Sequence, residues 1–231
     1  LLIYSYGSPN WVQLGLSGHS CYTPRQVAMY VTHGDYAVMD CSQFLKKRYD
    51  DPEYKVPKCT IVWGQNPPPT CPDGFYGHWV VDVMKRGSEL VVIDPRVTWI
   101  ASRAKIHLQI RPSTDGALAL GMLNYIISEG LYDKEFVEKW VYGFEKLKER
   151  AAEYPLNKVS AITWVPEEKI IEAARLYATS KPAAIHWGIP IDANPEGTVV
   201  AQAITALWCI TGNLDVPGGN VIARASHGVT S

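Results

Sequence analysis

Apolar runs and helical spacings alternate along the chain and predict the order of its secondary structure elements. Short runs of mostly apolar residues predict strands at residues 1–4, 59–63, 90–93, 106–110 and 181–187. Apolar positions at helical spacing predict helices at residues 24–32, 75–85, 116–128, 167–178 and 198–210, and a further helix that begins at Asp133. Strands and helices in this alternation are typical of an α/β fold with parallel strand pairing and right-handed crossovers.

Proline- and glycine-rich stretches separate these elements. Residues 64–69 contain consecutive prolines and are predicted to be neither strand nor helix. Residues 217–220 read Pro-Gly-Gly-Asn and are predicted to be a loop. Because no repeat or linker divides the chain, we expect a single α/β region over residues 1–231, with entry loops at 1–58 and a core at 59–220.

The composition of the 231-residue chain is that of a globular protein, with 47% hydrophobic and 19% charged residues. Its formal net charge of −1, from 22 basic and 23 acidic side chains, lacks the basic excess of a nucleic-acid-binding protein. No run of about 20 apolar residues predicts a membrane-spanning helix. Residues 1–24 are uncharged but do not show the pattern of a signal peptide. The compartment is therefore left open between the cytoplasm and export in folded form.

The cysteines form no recognisable ligand pattern among themselves. They are Cys21, Cys41, Cys59, Cys71 and Cys209, an odd number at irregular spacing. No Cys-X-X-Cys pair occurs, so neither a structural zinc site nor a local iron–sulfur cluster is predicted. All except Cys21 are predicted to be packing thiols.

Polar and charged side chains follow the predicted strands at the places where an open α/β sheet binds its ligands, outside the carboxyl ends of the strands. Gly64 permits close backbone approach, and Gln65 and Asn66 supply amide groups beside it. Asp94 can accept hydrogen bonds from ribose hydroxyls. Arg96 can grip a phosphate or stack on a base.

Asp115 follows the next predicted strand, at the start of a predicted helix. Its carboxylate can accept from the N1–H and 2-amino groups of guanine, and the helix N-terminus adds donors for a phosphate. An ordinary structural role is also open, since Asp94-Pro95-Arg96 fits a turn and Asp115 fits a helix cap. The glycine fingerprints of nicotinamide-binding and P-loop folds are absent. Taken alone, these residues predict a nucleotide-like ligand on an α/β sheet.

A series of motifs between residues 59 and 220 resembles the molybdopterin oxidoreductase (DMSO reductase) family in order and approximate spacing. The motifs are residues 62–67 (Val-Trp-Gly-Gln-Asn-Pro), 93–96 (Ile-Asp-Pro-Arg), 110–119 (Ile-Arg-Pro-Ser-Thr-Asp-Gly-Ala-Leu-Ala), 130–137 (Gly-Leu-Tyr-Asp-Lys-Glu-Phe-Val), 211–213 (Thr-Gly-Asn) and 217–220 (Pro-Gly-Gly-Asn). The chain departs from the family pattern at Ser113, usually a glycine, and at Lys105, usually an acid. We expect the first departure to tighten the turn before Asp115 and the second to be a surface change.

The resemblance implies a doubly wound, mainly parallel sheet with helices on both faces (Rossmann-like). This sheet would grip the guanosine end of a bis(molybdopterin guanine dinucleotide) cofactor with molybdenum or tungsten. The cofactor-binding residues implied in this way are Gly64, Gln65, Asn66, Asp94, Pro95, Arg96, Asp115 and Arg224. On the family pattern, Gly64 and Asn66 would lie along the phosphates of one cofactor, and Asp94 and Arg96 at its ribose and guanosine. Asp115 would lie at the guanine and Arg224 at a pterin.

Cys21 is the metal ligand that the same resemblance implies. Many family members place a Cys, Ser or selenocysteine on an early loop, upstream of the first motif, and a thiolate is a soft donor suited to such a metal. His19 and Tyr22 flank Cys21 and are the implied catalytic candidates, placed to touch substrate. His186 and Asp192 lie near the end of a strand that approaches the cofactor in the family.

The resemblance further implies that the chain is part of a longer catalytic subunit. A cysteine-rich N-terminal part would hold a 4Fe-4S cluster, a C-terminal barrel would close the pocket, and an iron–sulfur electron-transfer subunit would be the partner. The isolated region is expected to be inactive. The alternative is a metal-free scaffold or electron-transfer subunit of a respiratory complex with the same fold. An ordinary nucleotide-dependent enzyme is disfavoured because the glycine fingerprint is missing.

The expected reaction is two-electron redox or oxygen or hydroxyl transfer on a small substrate. Branches of the family with a Cys ligand include non-redox members of the acetylene hydratase and transhydroxylase type. The uncharged stretch of residues 4–22, which contains several aromatic side chains, favours a small neutral or aromatic substrate.

Overall fold

The computed structural model of the protein describes residues 7, 23–41, 55–70 and 75–222. The strand predicted at residues 1–4 lies outside these residues, as do His19, Cys21, Tyr22 and Arg224. Within the described part of the chain, no helix combines the length and the apolar character that crossing a membrane requires.

A parallel four-stranded sheet forms the centre of the fold. The strands of the described residues are β1 (Ala37–Met39), β2 (Cys59–Trp63), β3 (Glu89–Ile93), β4 (Ile106–Leu108), β5 (Ala183–Trp187) and β6 (Asn220–Ile222). The central sheet has the order β4-β3-β2-β5, and each neighbouring pair is parallel, as predicted. The chain runs outward from β2 to β4 and then returns to the other side of β2. The switch point of this doubly wound sheet therefore lies between β2 and β5.

Helices cover the sheet on both faces. They are α1 (Thr23–His33), α2 (Pro67–Thr70), α3 (Phe75–Lys85), α4 (Asp115–Ser128), α5 (Lys134–Trp140), α6 (Phe144–Ala152), α7 (Leu156–Thr163), α8 (Glu167–Thr179), α9 (Ile189–Asp192) and α10 (Gly197–Ile210), with a short 3-10 helix at Ala101–Arg103. Because side chains alternate along a strand, Ile61 and Trp63 join a core with α4, α8 and α10, while Val62 packs on the other face against α3. The Rossmann-like prediction is confirmed.

The outer edge of β5 is closed by a side chain instead of another strand of the sheet. Asn220, which is 1% exposed, accepts from the backbone N–H of Ile185 at 2.9 Å and donates to the carbonyl of Ile185 at 2.9 Å. The amide of Asn213 accepts in the same way from the N–H of Ala183 at 3.0 Å. Asn220 also begins β6, which pairs with β1 in a separate antiparallel ladder. Asn213 and Asn220, which belong to the family motifs at residues 211–213 and 217–220, thus complete the hydrogen bonding at the outer edge of β5.

Two predicted irregular segments turn out to be partly regular. Residues 64–69 were predicted to be neither strand nor helix, yet α2 (Pro67–Thr70) is a helical turn. Prolines fit there because backbone N–H groups in the first turn of a helix have no acceptor within the helix, so the N–H that proline lacks is not needed. Residues 217–220 were predicted to be a loop, but Asn220 belongs to β6.

Helices α6 and α7, like the four-residue α9, have no counterpart among the helices predicted from the sequence. Helix α6 is rich in Lys and Glu, and its few apolar residues, Phe144, Leu147 and the buried Ala151, lie at helical spacing and pack on the core. Helix α7 buries Val159 against Gly121 of α4, where a Cβ atom would stand 2.8 Å from a Val159 methyl group. Contacts with α4, which local sequence does not display, decide both helices.

Candidate functional site

The loop after β2 passes very close to the loop after β5. Gly64 has φ of +60°, and its N–H donates to the carbonyl of Ile93 at 2.7 Å. On the opposite side, the N–H of Gly188 donates to the carbonyl of Trp63 at 2.9 Å. A Cβ atom on Gly188 would stand 2.2 Å from the carbonyl oxygen of Gly64, so a side chain there cannot be accommodated without movement of the backbone. These glycines bring the loops after β2 and β5 together at the switch point, where an open α/β sheet has its ligand-binding crevice.

An amide oxygen of the β2 loop is buried without a partner. Oδ1 of Asn66 has no hydrogen-bond partner within the described part of the chain. A buried acceptor in that state costs free energy unless a ligand or water donates to it. Gln65 lies between Gly64 and Asn66 and is half-buried.

Asp94 is almost fully buried where β3 ends, at 2% exposure. Its Oδ1 accepts from the backbone N–H of Arg96 at 2.8 Å and from Arg96 Nε at 3.3 Å, while the Arg96 side chain is 71% exposed. Side chains from beyond β3 fix the same loop: His107 Nε2 contacts the carbonyl of Asp94 at 2.9 Å, and Gln109 donates to the carbonyl of Pro95 at 3.0 Å. The carboxylate is therefore held in one orientation by its own turn.

Asp115 is the first residue of α4 and is held by a side chain from β2. The indole Nε1 of Trp63 donates to Asp115 Oδ1 at 2.7 Å. Burial raises the pKa of Asp115, and the hydrogen bond from Trp63 opposes that shift because it favours the charged carboxylate. Ser113 just before it has φ of +65°, the left-handed region that the usual glycine adopts without cost. The departure at residue 113 thus strains the turn and leaves Asp115 at the helix start.

These contacts bring the predicted residues to one edge of the sheet. The backbone N–H of Gly64 donates a hydrogen bond to Ile93, the residue before Asp94. Asp115 accepts one from Trp63, the residue before Gly64. Gly64, Asp94 and Asp115 accordingly rim one crevice at the carboxyl ends of β2, β3 and β4, with Gly188 on its far wall.

A buried ion pair on the far wall is the feature that the sequence did not reveal. Arg25 of α1 and Asp192 of α9 are 6% and 1% exposed, and Arg25 Nε lies 3.0 Å from both carboxylate oxygens. Asp192 stands out in the sequence because it follows a strand, but nothing near Arg25 marks it. Burial by itself would lower the pKa of Arg25, but the hydrogen bonds and charge of Asp192 raise it overall.

His186 of β5 lies beside this pair and stays neutral. Burial, and then the nearby charge of Arg25, lower the pKa of His186 to about 3. Its ring packs against Tyr76 of α3, with 4.0 Å between ring centroids. A neutral imidazole here adds no second positive charge to the crevice wall.

The described cysteines behave as packing residues. Cys59 and Cys209 are buried and Cys41 is half-buried, all as free thiols. Burial raises the pKa of Cys41 and of Cys209 to about 12 and raises that of Cys59 as well. In the described residues, no three His, Cys, Asp or Glu side chains come together as a metal-ligand set. Cys21 and Cys71 lie outside them.

A wide apolar groove of about 990 Å³ is lined by none of the crevice residues. Trp140 and Tyr142 project beside it, 69% and 102% exposed. His33 also lines it; both of its ring nitrogens are buried with no partner among the described residues, and burial lowers the pKa of His33. Its apolar lining does not suit a ligand that carries phosphate, and nothing in the structure shows what covers it.

A doubly wound parallel sheet, with acidic and amide side chains rimming the crevice at its switch point, defines the class of protein: an α/β protein of the nucleotide-cofactor type. Comparison with known proteins gives the particular family. A family model described as molybdopterin oxidoreductase matches residues 54–228. The chain belongs to the molybdopterin oxidoreductase family, a family of enzymes, and membership implies a molybdopterin cofactor with molybdenum or tungsten.

Individual relatives agree with this assignment. The chain is 37% identical to acetylene hydratase of Syntrophotalea acetylenica over 223 residues, which are 94% of this chain and 27% of that protein. It is 34% identical to an F420-dependent formate dehydrogenase subunit alpha of Methanocaldococcus jannaschii over 169 residues, 73% of this chain and 25% of that protein. The chain therefore spans about a quarter of the length of these relatives.

A solved structure matches the fold over nearly the same extent. Acetylene hydratase from Pelobacter acetylenicus superposes with a TM-score of 0.79 at 35% sequence identity, covering 94% of this chain and 28% of that one. The similarity thus extends well beyond the fold to the sequence itself.

Proposed function

We propose that the chain is the cofactor-binding α/β region of a molybdenum or tungsten enzyme that carries bis(molybdopterin guanine dinucleotide). The whole protein would perform two-electron redox or oxygen or hydroxyl transfer on a small substrate. The observation that supports this most directly is the shared rim of Gly64, Asp94 and Asp115 in a chain of this family. When bound, the metal-bearing pterin supplies the two-electron or atom-transfer chemistry.

The polar groups at this edge of the sheet suit such a cofactor. The absence of a Cβ atom at Gly188 lets its backbone approach the carbonyl oxygen of Gly64 closely. Oδ1 of Asn66, buried with no partner among the described residues, calls for a donor, and the ring N–H, amino and hydroxyl groups of a pterin nucleotide are donors. Gly64, Gln65 and Asn66 would hold the linking phosphates and the groups beside them.

Two fixed carboxylates would hold the nucleoside end. Asp94, oriented by its bonds from Arg96, would accept from the ribose hydroxyls, with Pro95 shaping the turn. The guanidinium of Arg96, whose Nε bonds Asp94, is exposed and could present its other N–H groups to the guanosine. Asp115, whose charged form the bond from Trp63 favours, would accept from the N1–H and 2-amino groups of guanine, which adenine lacks.

The remaining assignments fall on residues outside the described part of the chain. Cys21 is proposed as the metal ligand because a thiolate is a soft donor. His19 and Tyr22 are proposed as substrate contacts because they flank Cys21, and Arg224 as a pterin contact.

The whole protein is proposed to hold a 4Fe-4S cluster beyond this sequence and to pass electrons to an iron–sulfur subunit. The matched formate dehydrogenase chain is itself named as a subunit, which supports a multi-subunit assembly.

Metal and nucleotide analysis of the full-length protein tests the proposal. We expect stoichiometric molybdenum or tungsten and, on denaturation, a pair of guanine nucleotides for each metal atom. Asp94→Asn and Asp115→Asn should each lower the nucleotide content. Glu89→Gln is the matched control, because Glu89 is a half-exposed carboxylate at the other end of β3 and should leave the content unchanged. Metal far below stoichiometry with no guanine nucleotide would instead support a scaffold subunit.

The substrate is proposed to be small and neutral or aromatic. The uncharged, aromatic-bearing stretch of residues 4–22 and the similarity to a hydratase support this. We expect phenolic or unsaturated substrates to perturb the metal centre of the full-length enzyme on titration. Turnover of formate or nitrate instead would contradict the proposal.

A further inference from the structure

The buried ion pair between Arg25 and Asp192 spans the whole far wall of the crevice. Besides contacting both oxygens of Asp192, Arg25 donates through Nη2 to the carbonyl of Trp187 at 3.2 Å. Its guanidinium also lies over the Trp187 ring, 5.2 Å from the centroid. One side chain therefore grips both ends of the segment formed by residues 187–192.

That segment is the wall that faces the β2 loop. It contains Gly188, which is in backbone contact with Gly64, and Pro190 and Ile191, whose side chains lie 3.9 Å from the position of a Cβ atom on Gly64. A shift of this segment would change the width of the crevice directly. The crevice width is thus tied to the contacts of Arg25.

A buried ion pair contributes little net stability to a fold. Removing two charges from water carries a large desolvation cost, and apolar residues of similar volume often stabilise a fold as well or better. What the pair does provide is a fixed geometry, because a guanidinium bonds a carboxylate through a rigid fork. A positioning role accounts for charges at this depth.

We propose that Arg25 and Asp192 are positioning residues that hold the crevice wall of residues 187–192 against the Gly64 loop and so set the grip on the cofactor. This inference rests on the proposed cofactor function. Arg25 also belongs to the first turn of α1, which begins two residues after Cys21 in the sequence. The pair thereby couples the start of that helix, next to the proposed metal ligand, to the crevice wall.

The experiment uses variants of the full-length holoenzyme that separate an effect on stability from an effect on positioning. Arg25→Met and Asp192→Leu each leave one buried charge unpaired and should lower the unfolding temperature. The double variant R25M/D192L removes both charges and should recover most of that loss. It should nevertheless release guanine nucleotide about 10- to 100-fold faster than the wild type, at a temperature where both stay folded. Its metal-centre electron paramagnetic resonance spectrum should also change.

Arg25→Lys is the second variant, which keeps the positive charge and therefore the fold. A lysine presents one point charge and cannot bond Asp192 and the Trp187 carbonyl in the same fixed fork. We expect cofactor release between the wild-type and double-variant rates. The exposed pair Lys105–Glu89 supplies the control, since K105M/E89Q should leave release and spectrum unchanged.

The outcomes separate the two proposals. Wild-type release and an unaltered spectrum in R25M/D192L, or in Arg25→Lys should the double variant not fold, would overturn the positioning role while leaving the cofactor function standing. A wild-type protein without metal or guanine nucleotide would instead overturn the proposed function itself.

Discussion

The backbone of Gly188 approaches Gly64 so closely that a Cβ atom on residue 188 would stand 2.2 Å from the carbonyl oxygen of Gly64. Gly188 has φ of −93°, which any residue adopts, so its glycine identity is explained by space and not by backbone conformation. The loops after β2 and β5 can approach each other this closely because residue 188 is a glycine and has no side chain.

Gly188→Ala is therefore expected to push the two loops apart. Overpacking of this kind costs about 1–3 kcal/mol of unfolding free energy, and the cofactor content of the full-length protein should fall with it. Gly130→Ala is the control: residue 130 has φ of +65° but open space around it, so it tests backbone strain alone. Equal cofactor content in the two variants would contradict the steric explanation.

Replacing Trp63 with Phe should raise the pKa of Asp115 further. Burial already raises that pKa above its ordinary value, and the indole N–H is the contact that opposes the shift. Because the folded-state pKa exceeds the unfolded one, the stability that Asp115 contributes is present at low pH and is lost as the pH rises through the folded-state value. In Trp63→Phe this loss should move to higher pH.

The measurement is chemical unfolding as a function of pH for the wild type, Trp63→Phe and Asp115→Asn. The difference between the wild type and Asp115→Asn isolates the contribution of this one carboxyl group from all others. If Trp63→Phe gives the wild-type pH profile, the hydrogen bond does not set the charge of Asp115.

Asn220→Ala should destabilise the sheet edge strongly. The amide of Asn220 bonds both the N–H and the carbonyl of Ile185, and its loss leaves buried backbone groups without partners. Since each unsatisfied group costs about 1–3 kcal/mol, we expect a loss of about 2–4 kcal/mol in urea unfolding. Asn157→Ala is the matched control, because Asn157 is exposed on α7 and should change stability by less than about 0.5 kcal/mol. Similar losses in both variants would refute the edge role.

Cys59 and Cys209 should resist alkylation in the native protein. A thiol reacts as its thiolate, and burial both raises the pKa of these thiols and keeps the reagent out. Iodoacetamide at pH 8 followed by mass spectrometry should label neither until the protein is unfolded. Labelling of Cys209 at the same rate with and without denaturant would show that the region around α10 opens readily.

Several elements could be read directly from the sequence. The strand at Cys59–Trp63 and the helix at Phe75–Lys85 have the predicted bounds, and Asp133 caps α5 by accepting from Phe136 N–H at 3.0 Å. Gly87 follows α3 at a φ of +93°, the left-handed conformation in which a glycine commonly ends a helix. These features are local, because period, caps and glycine punctuation act within a few residues.

The candidate site likewise contains residues that could be predicted from the sequence and one that could not. Gly64, Asp94 and Asp115 were predictable because each directly follows a recognisable strand or begins a recognisable helix. Arg25 was not, because its partner Asp192 lies 167 residues away and neither the charge nor the spacing of Arg25 differs from that of an ordinary surface residue on α1.

By itself, the sequence determined the four strands of the central sheet and their parallel pairing, most of the longer helices, and the motifs that identify the family. Only the tertiary structure decided that Trp63 orients Asp115, that Asn220 closes the edge of β5, and that Arg25 spans the crevice wall. The physical reason is one of range. Periodicity and capping are short-range properties of the chain, whereas a buried hydrogen bond or ion pair exists only once folding has brought distant residues together and excluded water from between them.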